Sequence, residues 1–339
     1  MKHVAIVAHQ SNPSICSSMM MHAELIKRAG YKITLFISKG LESNFAPYDY
    51  NKTLYSSVEE LKQKLSEKRV DSIFLTTYLK ALELKLKGIR LPMYLWMQGD
   101  EPNESFMRNH SYLRKYALSI LLWLAFRFIS GVVYVSDSMK DYYQSVYGIK
   151  NKSIVVPCLS EFVPNHSQSH RIPNSFVYIG GLSVWQCFEK TLSIYKQIRT
   201  DHSIFHIITR DVALATQKVK EIVGDMNGIE IYTITNRRQI PETLQKFQFG
   251  FLIRENNVVN QVASPIKFLE YISCGVNVIM TDAVPSYARM VKDNKIGAIV
   301  DLNEKRKIKL NSYNPIAAQI YEHGFNQAVY VDRYKGLFL

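Results

Sequence analysis

The chain has 339 residues, 47% of them hydrophobic and 21% charged, with 42 Lys and Arg against 29 Asp and Glu for a net charge of +13. That length allows two domains, each with its own core, and the balance of residues excludes fibrous, low-complexity and disordered classes. Four cysteines (Cys16, Cys158, Cys187, Cys274) show no C-x-x-C spacing, so they read as reduced thiols and not as a zinc site or a disulfide framework.

The positive charge is uneven. Residues 1–157 hold 21 Lys and Arg against 13 Asp and Glu, a net +8, and the remainder carries +5. Such an excess favours an anionic partner: phosphorylated substrate, anionic membrane surface or nucleic acid. Nucleic acid is the weakest of the three, because no zinc finger, RNA-binding signature or basic run with interleaved aromatics occurs. Residues 1–10, MKHVAIVAHQ, lead straight into a strand pattern rather than a signal peptide. Sequons at Asn51, Asn103, Asn109, Asn151 and Asn165 therefore read as chance matches.

Residues 4–8 (VAIVA) form an all-apolar run, the mark of a buried parallel strand. A helix over 17–29 follows, stops at Gly30 and gives way to a strand at 32–38 (KITLFIS). The turn after the first strand, His9-Gln10-Ser11-Asn12-Pro13, contains no glycine. The dinucleotide fingerprint G-x-G-x-x-G is thus missing where it would have to stand, and no Walker A pattern occurs. That argues against NAD(P), FAD and P-loop enzymes.

The alternation continues with a helix at 58–68, strands at 72–76 and 93–97, a helix at 112–129, a strand at 132–136, a helix at 139–147 and a strand at 154–156. Residues 118–129 (LSILLWLAFRFI) are apolar but too few to span a bilayer, and Arg127 lies among them. They read as a core helix, with membrane-surface contact as the second reading. Three prolines between 157 and 173 mark an inter-domain linker. A second alternating series then places strands at 176–179, 205–209, 228–233, 249–253, 276–280 and 298–300.

Residues 249–281, FGFLIRENNVVNQVASPIKFLEYISCGVNVIMT, carry the densest signal. An apolar strand ends in Arg254, a polar loop follows, and Ser264-Pro265 opens a helix in which serine can cap the free amides. The helix stops at Gly275 and a β-branched run begins at once. Strand, loop, capped helix, strand is a βαβ unit, whose loop leads to a helix N-terminus of the kind that binds phosphates.

The pattern S-P-x-K-F-x-E-Y-x-x-C-G-V at 264–276 resembles the donor-binding segment of retaining family 4 glycosyltransferases of the GT-B class. The resemblance implies an α/β protein of two Rossmann-like domains facing a central cleft. Residues 1–157 would form the acceptor domain and 158–314 the nucleotide-sugar donor domain, with C-terminal helices at 315–339 crossing back to the first. Glu270 would hold the ribose hydroxyls, and the backbone of Ala263, Ser264 and Pro265 would face the diphosphate. The loop Trp96-Met97-Gln98-Gly99-Asp100-Glu101-Pro102 is similar to the W-x-Q-G-x-x-P-E loop of capsule and O-antigen transferases. It implies positioning roles for Gln98 and Gly99, and acceptor contact for Asp100 or Glu101 unless these form a solvated acidic turn. Glutamine cannot serve as a base near neutral pH. Ser136, in a V-S-x-x-M turn, reads as a helix N-cap.

Residues 178–182 resemble the family's Y-x-G-R-L loop, in which the amides of Gly180 and Gly181 would cradle the diphosphate. Gly181 stands where that family has arginine, and Gln186 or a neighbour stands where it has lysine. The phosphate charge then falls to Arg254 and Lys267, with Arg210 next or merely a surface cation. In a second departure, Val262 replaces the first glutamate of the E-x7-E pattern, leaving its task to amides at 262–264 and to the side chains of Asn260 or Gln261.

These readings imply a transferase that moves a sugar from a nucleotide-sugar, a UDP-sugar first, to a glycan or lipid-linked glycan in surface polysaccharide synthesis. Retention of configuration, no metal and no cofactor are expected, with Gln98 and Arg254 as catalytic groups acting by orientation and charge. The expected location is cytoplasmic, with peripheral contact to the inner face of the cell membrane. A non-catalytic nucleotide-sugar-binding scaffold and a GT-B-fold sugar-nucleotide epimerase are the alternatives.

Overall fold

Short apolar strands joined by helices can bury both faces only in a parallel sheet covered on either side, and the computed structural model shows two such sheets. It describes residues 1–160, 162–164, 171–302 and 310–338. Residues 161 and 165–170 of the expected linker, with the Asn165 sequon, lie outside the described residues.

The first sheet is built from β1 (His3–Ala8), β2 (Lys32–Ser38), β3 (Lys52–Tyr55), β4 (Ser72–Leu75), β5 (Met93–Met97), β6 (Ile129–Tyr134) and β7 (Lys152–Val155). Their order is β3-β2-β1-β4-β5-β6-β7. The second contains β8 (Ser175–Ile179), β9 (Ile204–Ile208), β10 (Ile229–Tyr232), β11 (Phe249–Leu252), β12 (Asn277–Met280) and β13 (Gly297–Ile299), in the order β10-β9-β8-β11-β12-β13. Every pairing is parallel. Winding reverses between β1 and β4 in one sheet and between β8 and β11 in the other. Loops leaving the carboxyl ends of those pairs diverge and open a crevice.

The chain divides into two compact units, Met1–Leu159 with Val262–Ser264 and Gln327–Leu339, and Ser160–Gln261 with Pro265–Asn326. The C-terminal segment is therefore split. Helix Ala317–Phe325 belongs to the second unit and helix Ala328–Lys335 to the first. In the first unit, Tyr334 meets His22 of helix Pro13–Arg28 through a short hydroxyl–imidazole hydrogen bond, and Lys2 Nζ donates to the carbonyl of Phe338 at 3.0 Å.

Two differences from the sequence reading concern the first unit. Strand β3 was not expected, because an edge strand reading K-T-L-Y buries only Tyr55 and presents no apolar run. The larger correction concerns the apolar stretch 118–129. Helix Tyr112–Phe126 buries only Leu122, Ala125 and Phe126, so it is not a core helix. Ser136 caps helix Asp137–Tyr147 as expected, accepting from Met139 N at 3.0 Å. All four cysteines are free.

In the second unit, Phe176, Tyr195, Phe205 and Phe251 pack ring on ring with centroids 4.5 to 6.5 Å apart. Strands β8 and β11 pair only at Phe249–Phe176 and Gly250–Val177. Beyond that point they part, and backbone groups inside the sheet need other partners. Tyr271, from helix Ile266–Ser273, supplies one hydroxyl for both strands: it accepts from Ile179 N at 3.1 Å and lies 3.3 Å from the carbonyl of Phe251. Only glycine fits at 250, since a β-carbon there would come within 2.8 Å of the Tyr271 ring. Tyr271→Phe should keep the ring packing and strand both backbone groups, lowering stability by about 1–3 kcal/mol in urea unfolding. An unchanged midpoint would show that the strands do not need the hydroxyl.

Candidate functional site

The crevice of the second sheet lies between the loops that follow β8 and β11. After β8 the chain turns through Gly180 and Gly181, and a short 3-10 turn, Val184–Gln186, presents the Gln186 side chain. After β11 comes Arg254, clamped by Thr281 at the end of β12: Arg254 N donates to the Thr281 hydroxyl at 3.1 Å, and that hydroxyl donates back to the Arg254 carbonyl at 2.7 Å. These bonds hold the Arg254 backbone, and the residue is buried, 5% exposed. Its Nη1 donates to the carbonyl of Ile253 at 3.1 Å and its Nη2 to Gln186 Oε1 at 2.7 Å.

Lys267 enters the same cluster from the first turn of helix Ile266–Ser273. Its ammonium donates to the same Gln186 Oε1 at 2.6 Å and sits 4.3 Å over the Tyr178 ring. Gly180, at φ +133°, makes room for it, because a β-carbon would lie 2.4 Å from Lys267 Cε. Two buried cations thus share one neutral amide oxygen, and among the described residues neither has a carboxylate within ion-pair distance. Burial holds the Lys267 ammonium well below the usual lysine range, with the neighbouring Arg254 charge adding to the effect. Burial lowers Arg254 as well. A lysine in the first turn also opposes the helix dipole, which favours anions there. The arrangement can hold an anion, because no carboxylate among the described residues pairs with either cation.

Glu270, one turn further along and 3% exposed, pairs with the half-exposed Arg237 at 2.5 Å. Gly181 offers its carbonyl to the Tyr178 hydroxyl at 2.7 Å, with open space where a side chain would be. Arg210 lies exposed just past the end of β9 and shares no bond with this cluster, so the expected reserve cation is a surface one.

The expected serine cap is corrected. Pro265 occupies the N-cap of helix Ile266–Ser273 without a side-chain bond, and Ser264 Oγ accepts instead from Cys158 N at 3.1 Å. Ala263 beside it is half-buried. The carbonyl of Val262 accepts from Ser136 Oγ at 2.6 Å. Asn260 is buried with its amide donating to the carbonyl of Glu255 at 2.9 Å, and Gln261 turns to Asn256 at 2.7 Å.

In the first unit, a cavity of about 420 Å³ opens at the β1/β4 reversal. Gln10, Thr76, Tyr78, Gln98, Glu101 and Glu104 line it. Gln98 Nε2 reaches the carbonyl of Thr76 at 3.4 Å, while Thr76 donates to Gln10 Oε1 at 3.2 Å. Gly99 is required by close approach, since a β-carbon would fall 2.1 Å from Glu104 Oε1. Burial raises the Glu104 carboxyl above its usual range, with Arg108 opposing and Asp100 and Glu101 reinforcing the shift. The Tyr78 hydroxyl is buried beside Glu101, whose charge reinforces burial in raising it. Asp100 does not line the cavity; it is fully buried, accepts from Asn103 and from the Tyr143 hydroxyl (3.2 Å), and is raised by burial. Glu104 and Tyr78 had no motif to flag them, and Gln186 stood out only as the residue standing where a lysine was expected. The one legible hint was the position of Gln98 and Glu101 in a loop at a strand end.

No protein-family model matches the sequence, and no curated protein matches it significantly. Solved structures do. The chain is similar to a TarM variant from S. aureus solved with fondaparinux, alpha-GlcNAc-glycerol and UDP, at 9% identity over 100% of both chains and a TM-score of 0.70. It is similar to sucrose-phosphate synthase from Thermosynechococcus elongatus, at 12% identity over 100% of this chain and 95% of that one, TM-score 0.67. Anabaena HepE in complex with UDP-glucose matches at 12% identity over 98% of each chain, TM-score 0.65. The chain has the GT-B fold. Its two Rossmann-like parallel sheets are the two halves of that architecture.

The lysine gives the anion site a pH signature. Because burial depresses Lys267, the neutral amine gains population at lower pH than an exposed lysine would allow. A bound diphosphate stabilises the ammonium, so binding takes up a proton and affinity falls as pH rises through the depressed value. With UDP as probe, at pH values high enough for its phosphates to be ionised, titration calorimetry in buffers of different ionisation enthalpy should detect that uptake growing as pH rises. Lys267→Met should abolish it. No proton uptake by the wild type would remove Lys267 from the anion site.

Proposed function

We propose that the chain is a glycosyltransferase that moves a sugar from a nucleotide-sugar to a glycan or lipid-linked glycan acceptor. The Arg254–Gln186–Lys267 cluster carries the proposal. A buried dication at the switch point of a GT-B sheet suits a leaving diphosphate, whose charge grows as the glycosidic bond breaks. Glu270, one helical turn from Lys267, would accept from ribose hydroxyls. Gly180 leaves room for Lys267, but its amide donates to the Ile208 carbonyl at 2.9 Å, so of the two expected glycine amides only that of Gly181 would join. A UDP-sugar is the first choice of donor, in keeping with UDP and UDP-glucose in the TarM and HepE structures.

The cavity around Gln98 takes the acceptor. Gln98, Glu101 and the carboxyl of Glu104 offer donors and acceptors to sugar hydroxyls, and Gln98 orients rather than ionises. Family 4 membership, retention of configuration and independence of metal belong to the same proposal, as do a role in surface polysaccharide synthesis and work at the inner face of the cell membrane. Incubation with a panel of nucleotide-sugars, with and without glycan acceptors, tests the reading. Acceptor-dependent nucleotide release supports it; release or sugar interconversion without acceptor points to an epimerase, and neither points to a scaffold.

Two variants test the donor site. Glu270→Gln should weaken UDP-sugar binding by about 1.5–3 kcal/mol, the usual cost of losing a charged hydrogen-bond partner; unchanged affinity in calorimetry removes Glu270 from the ribose. Turnover should fall from wild type to Arg254→Lys to Arg254→Ala. Lysine keeps the charge and loses the planar fork, and alanine loses both, costing at least about a hundredfold. Near-normal turnover by a folded Arg254→Ala protein would transfer the role to Lys267.

A further inference from the structure

Helix Tyr112–Phe126 turns its most apolar side to solvent. Leu113, Tyr116 and Ile120 are 83%, 62% and 59% exposed, and Leu121, Trp123 and Leu124 between 37% and 41%. At 100° per residue these six fall on one arc, opposite the buried Leu122, Ala125 and Phe126. An unbroken arc of large apolar side chains, tryptophan included, marks a surface that meets something other than water.

The charges around it say what. No Asp or Glu occurs between Glu104 and Asp137, while Arg108, Arg114, Lys115 and Arg127 do. The Arg127 guanidinium lies 4.1 Å over the Trp123 ring, and Lys85 lies 5.2 Å over Phe128, itself 42% exposed. Aromatic rings flanked by cations above an aliphatic stripe match the boundary between acyl chains and anionic headgroups. A second copy docked on the same face would set these cations against themselves with no carboxylate from this stretch to offset them. No helix among the described residues is long and apolar enough to cross a membrane, so the fit is to a surface.

We propose that the outer face of helix Tyr112–Phe126 docks on an anionic lipid membrane, with its apolar arc in the acyl boundary and Arg114 and Arg127 on lipid phosphates. The helix, about 22 Å long, lies in the plane of the interface. This names the surface behind the membrane part of the function proposed above, and its test is independent of nucleotide-sugar binding.

The test is co-sedimentation of the full chain with vesicles of phosphatidylglycerol and phosphatidylcholine, or of phosphatidylcholine alone, at low and high salt. Wild type should bind the anionic vesicles, less so as salt rises, and its tryptophan emission should shift to the blue. Trp123→Phe should lose the shift. Ile120→Glu with Leu124→Glu should lower the partition coefficient at least about tenfold, since two carboxylates would enter the acyl boundary. Arg114→Glu with Arg127→Glu should do the same at low salt, and this pair decides the matter if the first fails to fold. UDP binding, read in parallel, reports on the other unit and should not change. Equal binding to neutral and anionic vesicles, or none, overturns the proposal. So does a wild-type dimer that Ile120→Glu dissociates and that ignores vesicles, which would give the face to a second copy.

Discussion

Two strands that part inside a parallel sheet leave backbone groups that something must satisfy, and in the second sheet that something is Tyr271. Its hydroxyl serves Ile179 on β8 and Phe251 on β11 at the point where their ladder ends. The separation it permits sends one loop towards Gly180 and Gln186 and the other towards Arg254. Tyr271 and Lys267 sit one turn apart on the same helix, so the residue that holds the crevice open also registers the lysine that lines it. The first sheet obeys the same rule, with its cavity at the β1/β4 reversal. Geometry of winding, before any side-chain chemistry, decides where a ligand can lie.

Chemistry then decides which ligand. Folding alone would place a carboxylate beside Arg254 and Lys267, because burying two cations costs far more than burying an ion pair. Gln186 supplies one oxygen for both and no charge. Helix Ile266–Ser273 adds a dipole of the same sign, Thr281 holds the Arg254 backbone, and Gly180 leaves room for the Lys267 side chain. An anion bound there would recover the free energy that the unpaired cations cost. A substitution that supplied a carboxylate at 186 would stabilise the fold and fill the site.

The strands were legible because runs such as VAIVA and SIFLT have one physical explanation, burial on both faces. Edge strand β3 was not, since one covered residue in four leaves no period. The βαβ unit at 249–281 showed its helix, its glycine stop and the two cations, but not their common partner: Gln186 lies 68 and 81 residues away from them, and nothing local to a glutamine announces such a bond. Ser264 shows the reverse error. Serine before proline ahead of a helix has the form of a cap, yet its hydroxyl found Cys158 N, a backbone donor invisible at that range.

Helix Tyr112–Phe126 marks a different limit. Hydrophobicity along a chain reports how strongly a segment avoids water, not what shields it. Leu122, Ala125 and Phe126 satisfy the sheet, and the remaining apolar arc has no counterpart among the described residues of its own unit. Asp100 is the polar form of the same problem. An acidic pair in a loop suggested two exposed carboxylates, but Tyr143 and Asn103 draw Asp100 inward while Glu101 stays at the cavity. Asp100 then acts on Glu104 through its charge, helping burial keep that carboxyl protonated to higher pH. A carboxyl that retains its proton can donate to a sugar oxygen as well as accept from a hydroxyl, and Gln98 opposite can do both at any pH. The cavity in the first unit is thus lined by groups that can read hydroxyls, with the charges of Glu101 and Arg108 among them.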